Sequence, residues 1–154
     1  MNSAQGKGFA VSLSPMPSAK TTDLPNIWLF SNCSGRDLHK IRRALEEVQV
    51  PPGRLLCEEG TIGREFFIIV DGTASVRRNG RRVATLGPEQ YFGELALLDR
   101  RPRSATVVSD TDMRLLVLEQ RAFNGILEDV PALARKLLAA MATRLREADA
   151  RAFN

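Results

Sequence analysis

The stretch SVRRNGRRVATL, Ser75 to Leu86, narrows the fold more than any other part of the chain. Asn79-Gly80 supplies the two positive φ angles of a type I′ turn, and alternating residues flank it, so it reads as a β-hairpin. The surrounding segments have the same character. Arg54–Cys57 reads as a short strand, and Glu65–Val70 (EFFIIV) as a buried one, because it is rich in β-formers and nearly all apolar. Asp71-Gly72 is expected to turn it into a second hairpin with Thr73–Arg78. Gly87-Pro88 turns again, and Ser104–Ser109 and Met113–Glu119 read as two strands joined at Asp110-Thr111-Asp112. Turn signals recur about every eight to ten residues, the pattern of a β-sandwich or jelly-roll barrel.

Helical patterns frame this region. Leu24–Phe30 reads as a short helical piece whose Trp28, Leu29 and Phe30 could staple onto a core. Ser34 is a good N-cap for a helix expected over residues 35–50, with Leu38, Ile41, Leu45 and Val48 at helical spacing and Pro51-Pro52-Gly53 ending it. Arg121–Glu128 forms one later helix. Pro131 fits the first turn of a longer one, along which Leu133, Leu137, Leu138, Met141 and Leu145 make an apolar stripe. The predicted fold is therefore mainly β with flanking helices: an eight-stranded β-roll or jelly-roll barrel with an N-terminal helix and two C-terminal helices. With 154 residues there is room for one domain with a real core. We place it at residues 23–150, between a disordered tail over 1–22 and a C-terminal tail over 151–154.

Several function classes drop out. No apolar run approaches the roughly 20 residues of a membrane helix, and Ser and Pro break the apolar positions of the N-terminus, which makes a poor signal peptide. A cytoplasmic protein with reduced thiols is expected. Cys33 and Cys57 have no CxxC partner or nearby histidine, so no metal site is expected. The single histidine, His39, lies on the early helix and reads as a solvated surface residue. No nucleophile–base pair is visible, so neither catalysis nor a cofactor is expected. The net charge is +4. The arginines are scattered (Arg42 and Arg43, Arg77 to Arg82, Arg144 and Arg146) and read as a solvated surface. Nucleic-acid binding through the hairpin Arg77–Arg82 is a competing reading that would show as salt-dependent affinity.

The chemistry concentrates in FGELALLDRRPRSATVVS, Phe92 to Ser109. Glu94 and Arg103 stand nine residues apart around a short apolar segment, Leu95–Leu98. One helical turn there would not be stable alone, since nucleation is costly, so packing or a ligand must hold it. Its N–H groups suit a phosphate, and Gly93 permits close backbone approach. Arg103 could add a bidentate contact to the phosphate, and Glu94 could accept from a ribose hydroxyl. A plain Glu94–Arg103 salt bridge across the turn is the alternative.

FGELALLDRRPRSAT closely resembles the phosphate-binding cassette of cyclic nucleotide-binding domains, a family that includes bacterial catabolite activator protein, protein kinase A regulatory subunits and cyclic nucleotide-gated channels. FFIIVDGTASV and LEQRAFNGIL extend the resemblance, which covers about Leu24 to Ala148. It implies that Arg103 pairs with the phosphate oxygens and that Glu94 accepts from the ribose 2′-hydroxyl. The N–H groups of Leu95, Ala96 and Ser104 would face the phosphate, with Gly93 close to the sugar. Val76, Ala84 and Leu86, with Arg144 and Leu145, would hold the base. Ser104 tilts the ligand toward cAMP over cGMP. The implied mechanism is a switch in which the C-terminal helix closes over the base, acting on a protein partner or effector domain. The family's transcription factors carry a helix-turn-helix after that helix; the sequence shows none, so direct DNA binding is not expected. The apolar stripe of the last helix could also pair two copies. A ligand-free interaction module of the same fold, or a fragment of a larger regulated protein, is the alternative.

Overall fold

The computed structural model describes residues 24–152. The expected tail over residues 1–22 lies outside the described residues. The described chain forms two compact units, residues 44–123 and residues 24–43 with 124–152.

The first unit holds eight strands: β1 (Glu46–Val50), β2 (Leu55–Cys57), β3 (Glu65–Asp71), β4 (Ala74–Arg78), β5 (Arg81–Leu86), β6 (Tyr91–Phe92), β7 (Thr106–Ser109) and β8 (Met113–Glu119). They make two four-stranded antiparallel sheets, in the orders β1-β8-β3-β6 and β2-β7-β4-β5. This is the eight-stranded roll expected from the sequence. Phe67, Ile69, Leu115 and Val117 of the first sheet share one core with Cys57, Ala74 and Val107 of the second. The opposite face of β3 is buried too: Phe66 packs on Tyr91 and Phe123, with ring centroids 5.6 and 5.0 Å apart. Burial on both faces is why EFFIIV is a nearly unbroken apolar run. Its hydrophobic burial stabilises the unit by about 2 kcal/mol per large side chain.

The hairpin at Asn79-Gly80 forms as expected. Both residues have positive φ, 52° and 80°, and β4 and β5 pair through Arg78 and Arg81. Two expectations are corrected. Asp71-Gly72 does not close a hairpin, because β3 and β4 belong to different sheets; the turn carries the chain from one layer to the other. Gly72 has a φ of +91°, and a Cβ there would lie 2.3 Å from the Asp112 carbonyl. The second correction concerns the helix expected over 35–50, which stops at Ala44. Residues 46–50 instead form β1, with Val48 opposite Leu115 and Val50 opposite Met113. Val48 fits both a helical repeat and the alternation Val48/Val50. Pairing with β8 buries both valines and decides for the strand.

The second unit begins with a 3₁₀ turn at Trp28–Phe30 and α1 (Gly35–Ala44). Ser34 and Asp37 cap α1 reciprocally: Asp37 N donates to Ser34 Oγ at 3.1 Å, and Ser34 N to Asp37 Oδ2 at 3.3 Å. Between β6 and β7 lies the short helix α2 (Glu94–Asp99), and after β8 comes α3 (Gln120–Asp129), whose first turn, through Phe123, belongs to the β unit. α4 (Pro131–Ala152) starts at its proline and runs past the boundary expected at residue 150. Lys136 of α4 sits 4.3 Å from the centroid of the Trp28 ring.

Ser109 fixes the turn between β1 and β2. Its buried hydroxyl accepts from Arg54 N at 2.8 Å and donates to the Pro51 carbonyl at 2.6 Å. Ser109→Ala should therefore lower stability by about 1–3 kcal/mol, since the Arg54 N–H and the Pro51 carbonyl each lose a bond. Urea unfolding of the two proteins measures this.

Candidate functional site

β6 is followed by Gly93, whose φ of 96° redirects the chain into α2 (Glu94–Asp99). The expected one-turn segment is thus a six-residue helix. Arg100 closes it in the left-handed conformation, and Asp99 Oδ1 accepts from Arg101 N at 3.0 Å. Ala96 and Leu97 are buried, which supplies the packing so short a helix requires; Leu95 and Leu98 are exposed.

Two charged groups are buried at the ends of this connection, Glu94 at 3% exposure and Arg103 at 7%. The Arg103 backbone is pinned to the loop before β3: its N donates to the Thr61 carbonyl at 2.7 Å, and its carbonyl accepts from Gly60 N at 2.8 Å. Its guanidinium folds back under the helix. Nη1 donates to the Gly93 carbonyl at 3.0 Å and Nη2 to the Glu65 carbonyl at 2.9 Å, with Glu65 Oε1 3.8 Å from Nη2. Two glycines leave room for it. A Cβ on Gly63 would lie 2.8 Å from Arg103 Cζ and Nε, and one on Gly93 would lie 2.7 Å from Nη1.

Electrostatics tie the cluster together. Burial pushes the Cys57 thiol up to about 12; Arg103 pulls it down, while Glu65 and Glu94 push it further up. Burial also raises the Glu65 carboxyl above its ordinary range, opposed by Arg103 and Arg64 and reinforced by Glu119 and Glu46.

Of the other residues singled out in the sequence, Leu95 and Ser104 are exposed and Ala96 is buried. Val76 pairs with Ala84, and Leu86 with Ala74, so Val76, Ala84 and Leu86 share one face of the β4–β5 pair. Val76 and Leu86 pack against the core, and Ala84 is exposed. Arg144 and Leu145 lie on the exposed second half of α4. His39 is exposed on α1, and the four arginines from Arg77 to Arg82 are exposed around the hairpin tip. Among the described residues no cluster of three or more histidine, cysteine or acidic side chains could hold a metal ion. Nor is any helix among them long and apolar enough to cross a membrane.

Sequence reasoning missed Gly63, Glu65 and Cys57. For Gly63 there was a usable cue: an isolated glycine just before a strand marks a close approach by another group. Glu65 and Cys57 reach the cluster only because β2, β3 and the Arg103 segment converge in space.

The cyclic nucleotide-binding domain family matches the chain over residues 47–130. The cAMP-dependent protein kinase regulatory subunit of Schizosaccharomyces pombe is 35% identical over 113 residues, 73% of this chain and 27% of its own length. The chain thus spans about a quarter of that relative. Among solved structures, the Thermus thermophilus catabolite activator protein superposes with a TM-score of 0.73 at 30% identity, over 80% of this chain and 60% of its own. The regulatory domain of Toxoplasma gondii PKA with cAMP gives 0.70 at 22% identity, over 82% and 49%, a likeness of fold.

Only the thiolate reacts with alkylating agents, so the raised value of Cys57 and its burial protect it. At pH 8, iodoacetamide should label the half-buried Cys33 of native protein slowly and leave Cys57 unlabelled, and label both in urea. Peptide mass spectrometry reads the outcome; comparable native labelling of the two would contradict the value.

Proposed function

This chain belongs to the cyclic nucleotide-binding domain family, and on that premise we propose that it is a regulatory module that binds a cyclic nucleotide, cAMP ahead of cGMP, and performs no catalysis of its own. The observation that carries this reading is the pair of buried charges at the two ends of the α2 connection, Glu94 and Arg103, in a chain of this family. A buried guanidinium with N–H groups to spare is a receptor for a phosphate, and a buried carboxylate is an acceptor for a hydroxyl. Arg103 takes the phosphate, Glu94 the ribose 2′-hydroxyl. The N–H groups of Leu95, Ala96 and Ser104 add phosphate contacts, and Gly93 lets the sugar approach. Val76, Ala84 and Leu86, with Arg144 and Leu145, serve the base. Similarity to a cAMP-dependent protein kinase regulatory subunit at 35% identity, and a cAMP complex among the fold neighbours, favour cAMP.

The output is a shift of α3 and α4 on binding, read by a protein partner or an effector domain. A ligand shifts such an equilibrium only by its differential affinity for the two arrangements. Pairing of two copies through α4 is part of the same proposal.

Isothermal titration of the full chain with cAMP and with cGMP tests the reading. Binding should weaken at least about a hundredfold in Arg103→Ala, which removes two charge-assisted bonds, and roughly tenfold in Glu94→Gln. Circular dichroism confirms that each variant is folded, and Arg103→Lys is the milder substitute. Absence of binding to either nucleotide would overturn the proposal. The switch has its own measurement: saturating ligand should move the amide resonances of Leu133–Leu145, and unmoved resonances in a saturated protein would reject the switch and keep the binding.

A further inference from the structure

Glu65 has no part in the ligand contacts above, yet it meets the Arg103 guanidinium twice. Its carbonyl accepts from Nη2 at 2.9 Å, and its carboxylate oxygen Oε1 lies 3.8 Å from the same nitrogen. The Arg103 side chain is 6% exposed and the Glu65 side chain 31%, so the cation is buried while its counter-charge still reaches water. The surroundings give Glu65 little other reason to be charged. Glu119 stands directly opposite it on β8, a like-charge cross-strand pair that disfavours the sheet. Glu46 on β1 adds a third negative charge, and Arg64 beside Glu65 is the other cation acting on it. The Cys57 thiol nearby stays neutral. Among these groups, Arg103 is the buried cation that makes a carboxylate at position 65 tolerable.

We infer that the Glu65 carboxylate is the resident counter-anion of Arg103 and sets the affinity of the site by competing with the ligand phosphate for one guanidinium. The competition rests on the cyclic nucleotide reading; the charge coupling of Glu65 and Arg103 does not. A bound phosphate brings a second anion to the same cation, and the two anions repel. At a separation of several ångströms and an effective dielectric of roughly 20–40, that repulsion weakens binding by about tenfold. Glutamine at position 65 keeps the side-chain shape and leaves the backbone carbonyl bond in place. Burial raises the Glu65 carboxyl, so acidification protonates it and turns wild type into a mimic of that variant.

The test has two arms. In the first, cAMP is titrated into wild type and Glu65→Gln at pH 7.5 and pH 5. The variant should bind about tenfold tighter at pH 7.5, and the gap should narrow at pH 5. Equal or weaker binding by the variant at pH 7.5 overturns the competition. In the second arm, carbon-13 NMR follows the Glu65 carboxyl through a pH titration of ligand-free wild type and Arg103→Met, with Arg103→Gln as the alternative should the first not fold. Loss of the cation should move the Glu65 titration upward; an unmoved titration overturns the pairing. Should wild type bind neither cyclic nucleotide, the functional reading falls, and the NMR arm alone decides the charge coupling.

Discussion

A buried guanidinium governs this structure. Arginine cannot shed its charge, so a folded chain that buries Arg103 must place acceptors around it and exclude everything else. That requirement accounts for features with no obvious relation in the sequence. Gly93 and Gly63 are glycine because a methyl group at either would lie within 2.8 Å of the guanidinium. The carbonyls of Gly93 and Glu65 accept from the guanidinium just after the chain leaves β6 and as it enters β3. The Arg103 backbone is fixed in turn by Gly60 and Thr61, so side chain and main chain are held by one loop.

The two sheets exist, from the site's point of view, to bring these pieces to one place. β3 and β6 are neighbours in the first sheet, while β7, which follows Arg103, lies in the second. The segment from Gly93 to Arg103 therefore bridges two layers. Its middle is tied down by Ala96 and Leu97, and its ends by Glu94 and Arg103. A connection held at its ends by charged groups and in its middle by a short apolar anchor suits a ligand that adds interactions at the ends. Its helix is too short to persist without tertiary support.

Family membership and site geometry answer different questions. The match over residues 47–130 and the superposition on a catabolite activator protein establish the fold and its lineage. They leave the downstream output to proposal, because the chain spans only about a quarter of the kinase regulatory subunit it resembles. Three glutamates, at positions 46, 65 and 119, act within a cluster answered by Arg64 and Arg103, and that balance is a property of side-chain placement rather than of fold.

Local chemistry made much of the architecture legible. The positive φ angles of Asn79-Gly80, the cap at Ser34 and the proline opening α4 are decided within a few residues, and each forms where the sequence puts it. The run Phe92 to Ser109 likewise announced a short helix between an acid and an arginine, because glycine, helix start and charge all lie in one segment. What tertiary structure alone decided depends on partners distant in sequence. Residues 46–50 became a strand because β8 offered a ladder that buries Val48 and Val50, against a helical repeat that fits Val48 equally well. Asp71-Gly72 became a crossover between sheets, since a turn motif specifies a bend but not which strand will be neighbour to the next. Glu65, Gly63 and Cys57 entered the site because the ends of β2 and β3 meet the Arg103 segment in space. A charge pair across 38 residues leaves no periodicity or spacing in the chain from which it could be read.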